Sequence, residues 1–169
     1  AADGVIMAET LTVLLVAVLL WAVYGFLDHP DGRRALLVGA VAGLAALSRA
    51  ELALVGVLAF VPVAVGVAQP WSRRLGHLGL AALAGVVVLA PWTAYNAGRF
   101  DEPVLVSTND GLTLVGANCD RQYDGPDPGL WDIACLPPGS FTDAQAQDQS
   151  VVNVGYRRLA MDYAWANRG

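Results

Sequence analysis

Ala45-Ala-Leu-Ser-Arg-Ala-Glu-Leu52 interrupts the longest apolar run of the chain: among the 38 residues between Arg34 and Arg73, only Arg49 and Glu51 are ionisable. Charge within so apolar a segment costs a few kcal/mol per residue on insertion scales, so it persists where a polar cavity or a partner receives it. The doublet equally fits a plain turn between two membrane helices, wetted at the lipid surface. Both readings stand at this level. From Arg34 to Arg49 is 15 residues, about 22 Å of helix against a hydrocarbon core of roughly 30 Å. Either Arg33 and Arg34 snorkel, or Arg49 sits below the membrane surface.

Outward from this doublet the chain splits by composition. Hydrophobic residues make up 56% of 169, too many for a soluble domain of this size. They concentrate in residues 5–97, and residues 98–169 read as a water-soluble segment. The expected fold class is therefore mainly α: a polytopic membrane helical bundle followed by a small extracytoplasmic α+β segment. About four transmembrane helices are expected, near 7–27, 34–48, 51–68 and 77–95. Gly39-x-x-x-Gly43 in the second allows close helix contact in lipid, or reflects the general glycine enrichment of membrane helices. Pro62 and Pro91 are expected to kink or loosen the third and fourth.

The arginines set the topology. Arg33–Arg34 and Arg73–Arg74 occupy loops separated by two spans, so they share a side, which the positive-inside rule makes cytoplasmic. The Arg49/Glu51 turn and residues 98–169 then face outward. Cys119 and Cys135, the only cysteines, both fall in that outward segment, where a disulfide persists. Such a loop closure contributes on the order of 3 kcal/mol in the chain-entropy model. Their spacing, with no histidine nearby, is not a zinc pattern. Within the outward segment, 103–107 and 112–116 read as strands about an Asn109-Asp-Gly111 turn. Thr142 reads as the N-cap of a helix reaching Asn167, with Val151, Val152, Leu159 and Tyr163 among its apolar positions.

Several functions are excluded. Net charge is −5, with ten acids against five Arg in residues 98–169, so there is no basic stripe for nucleic acid. There is no lysine at all, hence no phosphate-binding loop of the nucleotidase kind. His29 and His77 lie beside no nucleophile or carboxylate cluster and read as surface or interfacial residues. What remains is a polar set on one face: Asp3, Glu9, Arg49, Glu51, Tyr95, Asn96, Asn109 and Asp110. Glu9 also suits the positive end of its helix dipole. Arginine with carboxylates at an outer membrane face fits a lipid-linked phosphate, the arginine holding the phosphate and a carboxylate taking a hydroxyl proton.

Met7-Ala-Glu-Thr-Leu11, Gly43-Leu-Ala-Ala-Leu-Ser-Arg-Ala-Glu51, and Ala90-Pro-Trp-Thr-Ala-Tyr-Asn96 followed by Val106-Ser-Thr-Asn-Asp-Gly111 together resemble the membrane glycosyltransferases of the GT-C class. That class includes protein O-mannosyltransferases and aminoarabinose transferases. The resemblance implies a multi-pass enzyme of a bacterial cytoplasmic membrane, taking a sugar from a polyprenyl-phosphate lipid donor to an extracytoplasmic acceptor. It implies that the main catalytic base lies in an outward loop before Ala1, and hence that the chain is an internal, inactive piece. Arg49 is expected to contact the carrier phosphate, Glu9 to orient sugar or acceptor, and Glu51 to hold Arg49; Asn109 and Asp110 are weaker substrate-binding candidates. Where many relatives show Thr-Arg-Pro-Glu this chain has Ser48-Arg-Ala-Glu51, without the stiffness of proline. The resemblance points to no definite cofactor, and a divalent metal is left open. The expected partners are the lipid donor and membrane lipids. The rivals are a transporter or lipid-handling membrane subunit and a structural membrane anchor.

Overall fold

The computed structural model describes residues 8–125, 128–137 and 148–167. These form two compact units, residues 1–92 and 93–169. The first contains α1 (Ala8–Asp28), α2 (Gly32–Ser48), α3 (Leu52–Gly66) and most of α4 (Trp71–Ala97). The chain folds back at each short connection, so α2 and α4 run parallel. Asp31 caps α2, accepting from the Arg34 N–H at 3.0 Å, which satisfies one of the orphan donors of a helix start.

Two helices, Glu9–Asp28 and Trp71–Ala97, are long and apolar enough to cross a membrane. The four expected spans are not all of that length: α2 has 17 residues and α3 has 15, about 26 and 22 Å of rise. Pro62 and Pro91 both lie inside their helices. The core of this unit is Leu19, Val23 and Phe26 of α1, Val38 and Val41 of α2, Phe60 and Ala64 of α3, and Ala81 of α4. Phe26 meets Phe60 edge to face at 4.9 Å and His77 at 5.2 Å. His77 is thus a buried packing residue rather than a surface one. The reason is that α4 starts at Trp71, six residues before the expected boundary, which carries His77 into the bundle.

The seam between α2 and α4 depends on glycine. A Cβ on Gly39 would collide with the backbone carbonyl of Ala81, and one on Gly43 would press on Val88 at 3.0 Å and the Gly85 carbonyl at 3.1 Å. Close backbone approach of this kind gives the two helices extensive van der Waals contact.

The second unit is helical where strands were expected. Residues 110–117 form α5 (Asp110–Ala117), α6 is Asp120–Tyr123, a single 3-10 turn covers Ile133–Cys135, and α7 runs Gln149–Ala166. No strand occurs among the described residues, so the α+β expectation is corrected to α. Asn109-Asp-Gly111 opens α5 instead of turning a hairpin. A helix start and a hairpin turn draw on the same small polar residues, and tertiary partners decide between them. The expected cap at Thr142 lies outside the described residues; α7 is capped by Asp148, which accepts from the Ser150 N–H at 2.7 Å.

The buried face of α7 is also not the expected one. Ser150, Asn153 and Ala160 are buried, while Val151 and Leu159 are exposed. The Asn153 amide accepts from the Gly111 N–H and donates to Asp110 Oδ1, both at 2.6 Å. Ser150 Oγ accepts from the Glu102 N–H at 3.0 Å. Helices α5 and α7 are joined by hydrogen bonds that a hydrophobicity pattern does not register. Cys119 and Cys135 form a disulfide with Cα atoms 5.6 Å apart.

Candidate functional site

Thr12 and Ser48 share a hydrogen bond at 2.9 Å between their Oγ atoms. Thr12 stands in the opening turns of α1 and Ser48 is the last residue of α2. Glu9, three residues before Thr12, and Arg49, one after Ser48, therefore sit at the same end of the first unit. Glu9 is exposed in the first turn of α1. Asp3 lies outside the described residues.

Arg49 and Glu51 form the connection between α2 and α3. Arg49 Nε donates to Glu51 Oε1 at 2.7 Å, with the two side chains 48% and 62% exposed. The Glu51 carboxyl, in the turn beyond both helices, is held below its ordinary value, first by its own backbone N–H and then, against partial desolvation, by Arg49. Among the described residues Glu51 is the hydrogen-bond partner of the Arg49 guanidinium, and about half of that side chain is exposed. An Arg fork can meet a phosphate through two parallel N–H bonds.

The depth of this turn follows from the parallel seam. Gly39 faces Ala81 and Gly43 faces Gly85 and Val88, so equal steps along both helices bring Arg49 level with about Trp92. Trp71 and Trp92 are both exposed on α4, 21 residues apart, or about 32 Å against a hydrocarbon core of roughly 30 Å. Tryptophan at both edges of that core is the aromatic belt of membrane proteins. Arg49 is thus level with the C-terminal one of these two tryptophans. Packing also loosens toward this end: no described residue of α1 before Leu19 is buried. Leu11, Val13 and Leu14 are exposed.

The opposite end is closed by backbone-directed bonds. Gln69 Nε2 donates to the Pro30 carbonyl at 3.0 Å, and Arg74 donates to the carbonyls of Gln69 at 2.7 Å and Val65 at 2.6 Å. Arg34 donates to the His29 carbonyl at 2.9 Å and lies 3.7 Å from Asp31. The two arginine pairs therefore share one end, opposite Arg49.

Asn109 and Asp110 belong to the second unit. Asp110 is 2.8 Å from Arg157 and also accepts from Asn153, so its carboxylate is engaged in joining α5 to α7. Asn109 stands at the N-cap of α5 without a side-chain cap bond. Near the disulfide, the Tyr163 hydroxyl donates to Asp120 Oδ1 at 2.6 Å. That bond, with desolvation and the charges of Asp120 and Asp124 behind it, pushes the phenol up to about 12. Asp132 is held below the usual carboxylate range by the Ala134 N–H and, behind it, by Arg121 at 3.0 Å. Among the described residues no three His, Cys, Asp or Glu side chains converge as a metal site. The sequence signals the Thr12–Ser48 bond only through hydroxyls near the ends of two adjacent helices.

A family model for dolichyl-phosphate-mannose-protein mannosyltransferase matches residues 2–95. No curated protein and no solved structure matches the chain.

Proposed function

We propose that this chain, which belongs to the dolichyl-phosphate-mannose-protein mannosyltransferase family, forms the donor-phosphate site of a membrane glycosyltransferase. The donor is a sugar on a polyprenyl phosphate, and the acceptor lies outside the cytoplasm. All four helices of the first unit lie in the bilayer, with α2 and α3 as short spans. The Arg33–Arg34 and Arg73–Arg74 end faces the cytoplasm, and residues 98–169 face outward from a bacterial inner membrane.

The observation that carries this reading is the Thr12–Ser48 hydrogen bond, because it ties the end of the bundle that holds Glu9 to the turn that holds Arg49. In the proposed mechanism Arg49 takes the carrier phosphate through its free N–H edges and offsets the charge that grows on the phosphate as the sugar leaves. Glu51 keeps the guanidinium oriented through the bond at 2.7 Å. Glu9 accepts a hydrogen bond from a sugar or acceptor hydroxyl. The loosely packed opening turns of α1 leave room for the polyprenyl chain to approach from the lipid.

A photoactivatable polyprenyl-phosphate sugar added to membranes holding the full-length protein tests the placement. Crosslinks are expected in the peptides around Thr12 and Arg49, and competition by unlabelled donor should remove them. Crosslinking confined to α7, or unaffected by competitor, would transfer the donor site elsewhere and leave an anchor as the better description.

A further inference from the structure

We propose that the segment from Arg99 to Leu105 is a lipid hook, seated in the bilayer leaflet that surrounds the C-terminal end of α4. Leu105 enters the upper acyl region and Arg99 takes a lipid phosphate. The inference rests on α4 crossing a membrane and is independent of the transferase reading.

The local geometry is specific. After Ala97 the chain turns sharply: the Arg99 and Phe100 N–H groups both donate to the Asn96 carbonyl at 3.0 Å. It then returns along the helix, and the Thr93 hydroxyl donates to the Leu105 carbonyl at 3.0 Å. Thr93 lies four residues before the end of α4, which puts Leu105 about 6 Å further in along the helix axis than Ala97. The interfacial layer on each face of a bilayer is roughly 5–8 Å thick, from the difference between its full and hydrocarbon thickness. A residue level with Thr93 is therefore at the acyl boundary, beside the Trp92 belt position, while Arg99 is at phosphate depth.

The side chains match those depths. Leu105 is 71% exposed, the most exposed large hydrophobic residue among the described residues of the second unit, whereas its neighbour Val104 is 7% exposed and packed inside. The alternation sends Val104 into the protein and Leu105 away from it. The Arg99 guanidinium lies over the Phe100 ring at 4.9 Å, an arrangement that holds the charged head at the surface on an apolar base. The carboxylates of Asp101 and Glu102 follow directly, so attraction is to the phosphate itself and not to a net anionic surface.

The test uses the full chain reconstituted in phosphatidylcholine vesicles. Cys119 and Cys135 are bonded to each other, so a single introduced cysteine takes an environment-sensitive fluorophore. Leu105→Cys is compared with Leu83→Cys, exposed near the middle of α4. In brominated phosphatidylcholine both labels are expected to lose about half their fluorescence, with aqueous iodide having little effect on either. Arg99→Gln should roughly halve the lipid quenching at position 105. Quenching at 83 with none at 105, where iodide quenches instead, overturns the hook. Absence of lipid quenching at both positions removes α4 from the membrane and the hook with it.

Discussion

Thr12 and Ser48 are 36 positions apart in sequence and joined by a hydrogen bond of 2.9 Å, so the ends of two helices are locked where Arg49 emerges. The Arg49–Glu51 pair beside it is exposed, and such pairs contribute about 1 kcal/mol or less to stability. Arg49→Ala should therefore fold as the parent does. A lost charge-assisted contact to phosphate, about 1.5–3 kcal/mol, corresponds to a fall in transfer of roughly 10- to 150-fold. Rates of sugar transfer from the lipid donor within about threefold of the parent would take Arg49 out of the site.

Gly39 abuts the Ala81 carbonyl, and nothing at that contact is a flexible side chain that can swing away. Gly39→Val should separate α2 from α4 at a cost of about 1–3 kcal/mol, typical of overpacking. The readout is thermal unfolding in mild detergent. Gly76→Ala serves as the comparison, since a Cβ there meets nothing within 4 Å. Equal midpoints for the two variants would show that the seam tolerates side chains.

Asn153 is 5% exposed and satisfies both Gly111 and Asp110. Asn153→Ala leaves a buried N–H without its acceptor, at a cost of about 1–3 kcal/mol. Amide exchange should accelerate throughout α5 and leave α1 and α2 unchanged. Exchange rates in α5 equal to those of the parent would mean that other contacts hold the helix.

The first unit was largely legible because its signals are compositional. Long apolar runs, paired arginines and a Gly-x-x-x-Gly spacing each point to a helix or to a bundle end by a mechanism that needs no partner. The burial of His77 depends on where α4 begins, and Trp71-Ser-Arg-Arg74 carries no strong start signal. In the second unit the failure has a different cause. Ser150 and Asn153 are buried because of groups 40 or more residues away, and a short apolar stretch such as Leu112–Val115 carries no periodicity that separates strand from helix. Of the candidate residues, Arg49 and Glu51 stood out as charge in an apolar run. The engagement of Asp110 with Arg157 could not be read without the fold.

Asp148 caps α7 and also accepts from the Asp101 N–H at 2.9 Å. Its carboxyl is held below the usual range, first by the Ser150 hydroxyl and next by the Asp101 N–H. The folded value lies below the unfolded one, so the stabilisation is fully present above the unfolded pKa near 3.9 and disappears as pH falls through the folded value. Amide exchange in the first turn of α7 should therefore quicken as pH falls below about 4, after correction for the intrinsic pH dependence of exchange. Asp148→Asn should flatten that pH dependence. A parent profile as flat as that of the variant would assign the cap no linkage to pH.

The contact of Gly39 with Ala81 also orders events during synthesis. Helix α2 faces a partner encoded about 40 residues downstream, which a ribosome adding 5–20 residues each second delivers roughly 2 to 8 s later. For that interval the glycine notch has no α4 to fill it, and α3 is made before α4. Pausing or early termination between Gly66 and Ala81 would then leave α2 with its glycine face uncovered.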